Sequence, residues 1–502
     1  MFKGVGKLLA IIRKIILIFS ICMFAIGLLF SNYYVILFAI CSILIHNILY
    51  SCERFSERII FFAFNVTFFT FLVGRLVIKS LTNYVDIYNN NKFGLDFNGE
   101  QIIWSIFVIL FLSLLFLFIG YSSFKNDKDI DLNKFSGIQD RISIESIAFV
   151  SKWLFYFTAI FNILILLDQA RFTNNAGYAE LYASYTSSYP YFFVKLAEMN
   201  PVALFMYLAT LPTKRKSRIP LLVFLSIGTL SLLVGNRNDF VLNILIVIIY
   251  LCLRNITDKK EKWFGKKEII ICLSIFPLLI LLLNAISYIR VDSSVATYSI
   301  MSAFNDFFYK QGVSVNLIGF AQTLSDQLPH GKIYTFGRIT DFVRNNSVTQ
   351  LFTDLPKYNP QTIESALYAN SFADSVSYIL SPHRYINGWG YGSSYIAELF
   401  KDFGYLGIII GNFVLGVILA FMSKLFKMNI LGVWVSLTMT RLLLYAPRDT
   451  ATSFIVSTFS LINILTIAII LLGAIVLGGR ERKLISTTGN IPKSDYLKLG
   501  NK

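Results

Sequence analysis

The sequence predicts an all-α integral membrane protein with about twelve transmembrane helices. Three observations carry this. Of the 502 residues, 55% are hydrophobic and only 15% are charged, whereas a soluble domain carries about 25% charged residues. The apolar residues gather into runs long enough to cross a bilayer, which takes about 20 of them in a helix. The charges fall between those runs, and the basic ones alternate from side to side.

The runs cover residues 14–31, 33–50, 59–78, 102–121, 146–168, 196–212, 218–235, 239–254, 269–288, 404–423, 429–446 and 452–478. The sixth and eighth are short. The positive-inside rule tests the count. With the N-terminus in the cytoplasm, the inside segments collect Lys3, Lys7, Arg13 and Lys14, then Arg54 and Arg58, then Lys125, Lys128, Lys134 and Arg141. Lys214, Arg215, Lys216 and Arg218 follow, and then Lys259, Lys260, Lys262, Lys266 and Lys267. The short outside turns hold isolated charges such as Lys79, Arg171 and Arg237. One span more or fewer would break this alternation, so both termini are expected in the cytoplasm. No small-residue cleavage site follows the first run, so it is expected to stay as a helix.

The division that follows is nine membrane helices in 1–289, a long extracytoplasmic loop in 290–403, three more helices in 404–478 and a cytoplasmic tail in 479–502. The loop mixes apolar and polar residues and is expected to be ordered, with short helices at the interface. Residues 79–101 are Asn-rich, and 169–195 are rich in Tyr and Ser.

Several classes are excluded. A net charge of +16 would suit nucleic acid if it formed one face, but here it marks topology, so no nucleic-acid partner is expected. The five cysteines are scattered in or beside apolar runs without metal-ligand spacing. There is no P-loop, GxSxG, HExxH or CxxC, and no internal or inverted repeat. The stretch Gly388–Gly392 (GWGYG) follows a loop rather than a strand, so it is no nucleotide fingerprint. No cofactor and no metal are expected.

Ionisable residues at membrane depth are costly and mark function by default. Arg75 lies near the outer end of the third run. Arg237 and Asp239 occupy the turn Gly235-Asn236-Arg237-Asn238-Asp239. Arg290, followed by Asp292, ends the ninth run, Arg441 lies in the outer half of the eleventh, and Arg448 and Asp449 fill the turn after it. All share the side that is poor in basic residues. Arginine's planar fork matches phosphate oxygens, so the set could hold a pyrophosphate above the bilayer. The plainer reading is snorkelling, or an Arg–Asp pair that holds a turn. In the loop, His383 and His330 could act as bases near neutral pH. Glu398, leading into the tenth run, could cap a helix, pair with an arginine or activate a hydroxyl. Arg338, Arg384, Trp389 and Tyr391 are the loop residues expected to hold a glycan; an interfacial aromatic belt is the alternative for the aromatics.

About twelve runs, a long outside loop before the last three, Gly235-Asn236-Arg237-Asn238-Asp239-Phe240, and Gly390-Tyr391-Gly392-Ser393-Ser394-Tyr395-Ile396-Ala397-Glu398 leading to Phe403-Gly404-Tyr405-Leu406-Gly407 together resemble the Wzy family. These are bacterial O-antigen and capsular polysaccharide repeat-unit polymerases. Topology matches over most of the chain, and the motifs cover about thirty residues. The resemblance implies a GT-C-like, metal-independent glycosyltransferase of the bacterial plasma membrane. It would join oligosaccharide repeat units carried on polyprenyl diphosphate, with a flippase and a chain-length regulator as candidate partners. Arg237 matches the family's Gly-x-Arg position and Glu398 its Ala-Glu position. By their placement rather than by the resemblance, Arg290, Arg441, Arg448 and Arg75 would join Arg237 in facing the pyrophosphate, and Asp239 or His383 would join Glu398 as candidates to face the acceptor hydroxyl. An O-antigen ligase, and a polysaccharide flippase or other secondary transporter, remain alternatives.

Overall fold

Long apolar runs satisfy their backbone groups internally only as helices when lipid surrounds them. The computed structural model describes residues 2–82, 84, 92–124, 143–178, 180–258, 260–289 and 299–488, and among these there is no strand. The membrane helices of the first part are α1 (Phe2–Leu29), α2 (Tyr33–Glu53), α3 (Ile59–Leu81), α4 (Glu100–Ser123), α5 (Ile144–Ala176), α6 (Tyr191–Ala209), α7 (Lys214–Ser231), α8 (Arg237–Thr257) and α9 (Lys266–Ile289). Short helices follow: α10 (Ile300–Gln311), α11 (Val315–Thr323), α12 (Gly337–Asn345), α13 (Ser347–Phe352), α14 (Ile363–Tyr368), α15 (Phe372–Leu380) and α16 (Pro382–Ile386). The chain closes with α17 (Tyr395–Leu425), α18 (Ile430–Leu443), α19 (Ser453–Thr458) and α20 (Leu461–Thr488).

Among the described residues eleven helices, counting α19 and α20 as one, are long and apolar enough to cross a membrane. The run expected at 218–235 is α7, whose first turn carries Lys214, Arg215 and Lys216. Those charges keep it out of the apolar set, so the count by length and composition is eleven rather than twelve. Yet α7 pairs with α8 along its length. A Cβ on Gly228 of α7 would meet the Asn243 side chain of α8 at 2.9 Å. At the other end of α8, Arg254 donates to the carbonyls of Leu211 (3.3 Å) and Pro212 (3.1 Å), just before α7 begins.

The bundle is apolar outside as well as inside. Ile15, Ile18, Phe157, Leu273 and Leu472 stand exposed on its surface, which suits lipid and not water. Inside, α4 and α17 approach closely because Gly120 has no side chain: a Cβ there would lie 2.0 Å from the Phe413 carbonyl oxygen. One set of buried polar side chains links these helices through hydrogen bonds. Tyr395 donates to Asn412 (2.7 Å), and Asn412 donates to Ser113 (3.2 Å).

Residues 299–394 cover one end of the bundle, the loop end. They are packed down at residues 332–337. Lys332 donates to the Ala369 carbonyl (2.6 Å), and Tyr334 is buried edge-on against Phe372. The N–H of Thr335 donates to Asp402 of α17 (2.6 Å), while its carbonyl accepts from Thr452 (3.1 Å). The helix α17 breaks at Gly404, where φ is 59° and ψ is −147°. Only glycine adopts that backbone at low cost. The break separates Tyr395–Phe403, which carries Glu398 and Asp402, from the lipid-facing length below it.

Candidate functional site

The element that assembles the loop end is the turn after α18. Pro447 has no backbone N–H and cannot continue a helix, so α18 stops at Leu443 and a 3-10 turn follows at Ala446–Arg448. Four parts of the chain meet this turn. Asn238, in the first turn of α8, donates to the Tyr445 hydroxyl (2.7 Å). Arg448 donates to both the carbonyl and the side-chain oxygen of Gln311 at the end of α10, each at 3.3 Å. The N–H of Ala451 donates to Glu398 of α17 (2.8 Å). Thr452 holds Thr335, as above.

Arg441 leads into this turn from the last turn of α18. It donates through Nη2 to Asp239 (2.7 Å) and through Nε to Asn243 (3.0 Å). Asp239 also accepts from Asn236 (2.6 Å). The sequence places Asp239 in the first turn of α8, where the helix dipole favours a carboxylate, and Gly235, with φ of 86°, permits the tight entry. Arg237 begins the same helix. It is half-buried and donates to the Leu283 carbonyl of α9 (3.1 Å). Arg441 Nη1 makes no hydrogen bond among the described residues, and a guanidinium has donors enough for a further anion.

Glu398 is fully buried, and each of its oxygens is used. Ser393 donates to one (2.6 Å) and Ala451 N–H to the other. Asp449 lies at the end of the 3-10 turn, outside the membrane helices, with Oδ1 accepting the Thr450 N–H at 2.7 Å. Burial raises its carboxyl above the ordinary carboxylate range, while Ser453, Thr450 N–H and the nearby Arg338 act in the other direction.

The remaining sequence candidates sit differently. Arg75, 7% exposed, donates to the carbonyls of Gly94 and Tyr309 and stacks 4.0 Å from the Tyr309 ring. It clamps α3 to the chain before α4 and to α10. His383 is exposed and meets only Asn387 one turn along; His330 is exposed as well. Arg338, Arg384, Trp389 and Tyr391 all lie exposed on the loop, Trp389 at 52% and Tyr391 at 41%. Tyr391 leans edge-on against Phe320. Arg290 lies outside the described residues. Among those described, no three His, Cys, Asp or Glu side chains gather into a metal-binding group.

So the structure brings Asp239, Arg441, Arg448 and Glu398 around one turn, with Arg237 beside Asp239 in sequence. It leaves Arg75 and His383 out of that cluster. Sequence reasoning missed Tyr445, Asn243 and Gln311. Asn243 lies one turn along α8 from Asp239, and Tyr445 lies between Arg441 and Arg448, a signal that could have been read. Gln311 carried none.

What this layer can do is hold an anion with several arginines near the point where the membrane helices end, under a packed cover with exposed aromatics. No curated protein and no solved structure matches the chain. A family model described as O-antigen polysaccharide polymerase Wzy matches residues 12–481, nearly the whole length. The chain therefore belongs to the O-antigen polysaccharide polymerase family, Wzy.

Proposed function

We propose that the chain polymerises oligosaccharide repeat units carried on polyprenyl diphosphate, at the outer face of the plasma membrane, with release of polyprenyl diphosphate. The observation that carries the site is the turn after α18, which sets Arg441 and Arg448 beside the first turn of α8. The alternation of basic residues supports cytoplasmic termini, which puts the loop end outside.

In this reading the diphosphate lies at the layer of Arg441, Arg448 and Arg237, near headgroup depth. Asp239 and Asn243 hold the Arg441 fork in one orientation, so its remaining donors meet the leaving group without rearrangement. Glu398 acts as a positioning residue: buried and bonded to Ala451 N–H, it fixes the turn that bears Arg448. Trp389, Tyr391, Arg384 and Arg338 offer exposed rings and cations to the two glycans. The acceptor oxygen forms a bond to the anomeric carbon, the bond to the phosphate oxygen breaks, and its electron pair leaves with the diphosphate. A flippase that supplies units and a chain-length regulator are the candidate partners.

The test uses full-length protein in lipid nanodiscs, with lipid-linked repeat unit extracted from cells that lack the chain. Long polymer formed without any second acceptor supports the proposal. Transfer only to an added acceptor points to a ligase, and no product at all contradicts a glycosyltransferase.

A further inference from the structure

Transfer of a glycan to a hydroxyl requires that hydroxyl to lose its proton as the new bond forms. This inference rests on the polymerase reading and supplies the group that takes that proton. Most carboxylates around the turn after α18 are committed elsewhere. Asp239 is ion-paired with Arg441 at 2.7 Å and bonded to Asn236 at 2.6 Å. Glu398 is closed off, with a donor on each oxygen. Asp402 receives the Thr335 N–H and belongs to the packing of the cover. His383 is exposed on the loop, with Asn387 beside its ring.

Asp449 differs from all of these. It is partly exposed, and among the described residues no Lys or Arg nitrogen forms an ion pair with it. The Thr450 N–H at 2.7 Å fixes the carboxylate without neutralising it. Three elements present charged or polar groups to it: Arg338 from α12, Ser453 from α19 and Glu398 from α17. Its own turn adds Arg448 and Tyr445. Asp239 and Asp449 both lie close to Tyr445, so the Arg441–Asp239 pair and Asp449 share one neighbour. Proton acceptor and leaving-group cations must reach the same carbon, and a shared neighbour brings them near enough to do so.

We propose that Asp449 is the base that takes the proton of the acceptor hydroxyl. The acceptor oxygen bonds to the anomeric carbon, the carbon–phosphate-oxygen bond breaks with its pair going to the diphosphate, and the proton passes to the Asp449 carboxylate. Arg338, on the exposed loop beside it, holds the incoming glycan near that carboxylate. The raised carboxyl supports proton uptake nearer to neutral pH than an ordinary aspartate allows.

The experiment measures polymerisation by the full chain in nanodiscs from pH 5 to 9 (about that range suffices for a group tuned as a base), using the extracted lipid-linked unit. Asp449→Asn keeps the shape of the side chain. It is expected to lower kcat about 100-fold or more, a typical share for a general base, and to leave KM and the melting temperature near wild type. Asp449→Glu should regain part of the rate. The acid limb of the wild-type profile, where a protonated carboxyl can no longer accept, should be absent from the residual activity of Asp449→Asn. An Asp449→Asn protein that turns over near the wild-type rate, keeps the acid limb, or loses activity only through KM or melting overturns the proposal. A wild type that makes no polymer instead overturns the polymerase reading beneath it.

Discussion

At the end of the bundle opposite the loop, Arg13, Arg58 and Arg254 close onto acceptors supplied by the chain itself. Arg13 and Arg58 share Glu53, at 2.7 and 3.0 Å, and both stack on Tyr50. Arg254 reaches the Leu211 and Pro212 carbonyls, Asp258 at 3.6 Å and the Trp263 ring. At the loop end, Arg75 is tied off in the same way, but Arg441, Arg448 and Arg338 are not. Among the described residues Arg441 has the Asp239 carboxylate but no ring, Arg448 has the Phe71 ring at 5.9 Å but no carboxylate, and Arg338 stands exposed with neither. Two ends of one bundle carry the same residue type for different purposes. An arginine held by both a carboxylate and a ring fixes helices, and one that lacks either hold can meet a ligand.

The substitution with the largest expected effect is Arg441→Ala, which should lower polymerisation by about 100-fold or more, as loss of a preorganised cation at a developing charge does. Arg441→Lys keeps the charge but loses the fork and should recover only part. The rate with extracted lipid-linked unit measures both. Glu398→Ala comes next. It leaves the Ala451 N–H and the Ser393 hydroxyl without their acceptor in a buried place, which costs about 1–3 kcal/mol for each orphaned group. Melting in detergent and polymer yield should fall together, and Glu398→Gln, which still accepts, should do less.

At the opposite end, Arg254→Ala should lower the melting temperature through the loss of hydrogen bonds worth about 1.5–3 kcal/mol each to a charged donor, yet leave polymer length unchanged in cells grown below that temperature. Abolished polymer in a stable Arg254→Ala protein would break the contrast between the ends. The smallest effect belongs to His383→Ala. An exposed side chain with only a local partner changes energies by about 0.5 kcal/mol, so the polymerisation rate should stay within about twofold.

Much of the fold was legible because lipid imposes length and composition on each helix. All eleven long apolar helices among the described residues fall on apolar runs, and even α7 sits where the run 218–235 placed it. What composition could not show is whether a helix beginning Lys214-Arg215-Lys216 behaves like its apolar neighbours. The site was legible in outline for a related reason: the turn residues of helices that share one face must come near one another. Asp239, Arg441 and Arg448 were visible that way. Their pairing was not, since Asp239 and Arg441 are 202 residues apart and only the packing of α8 against α18 joins them. Arg75 looked like its fellow arginines because nothing in the sequence shows that the carbonyls of Gly94 and Tyr309 would close on it. Glu398 gave no sign of its partner, a backbone N–H 53 residues on.

The most direct test of the account is the length of surface glycan made by cells whose only copy carries Arg441→Ala at wild-type membrane abundance, set beside cells carrying Arg254→Ala. The account predicts single repeat units from the first and full-length polymer from the second. Full-length polymer from Arg441→Ala would contradict it.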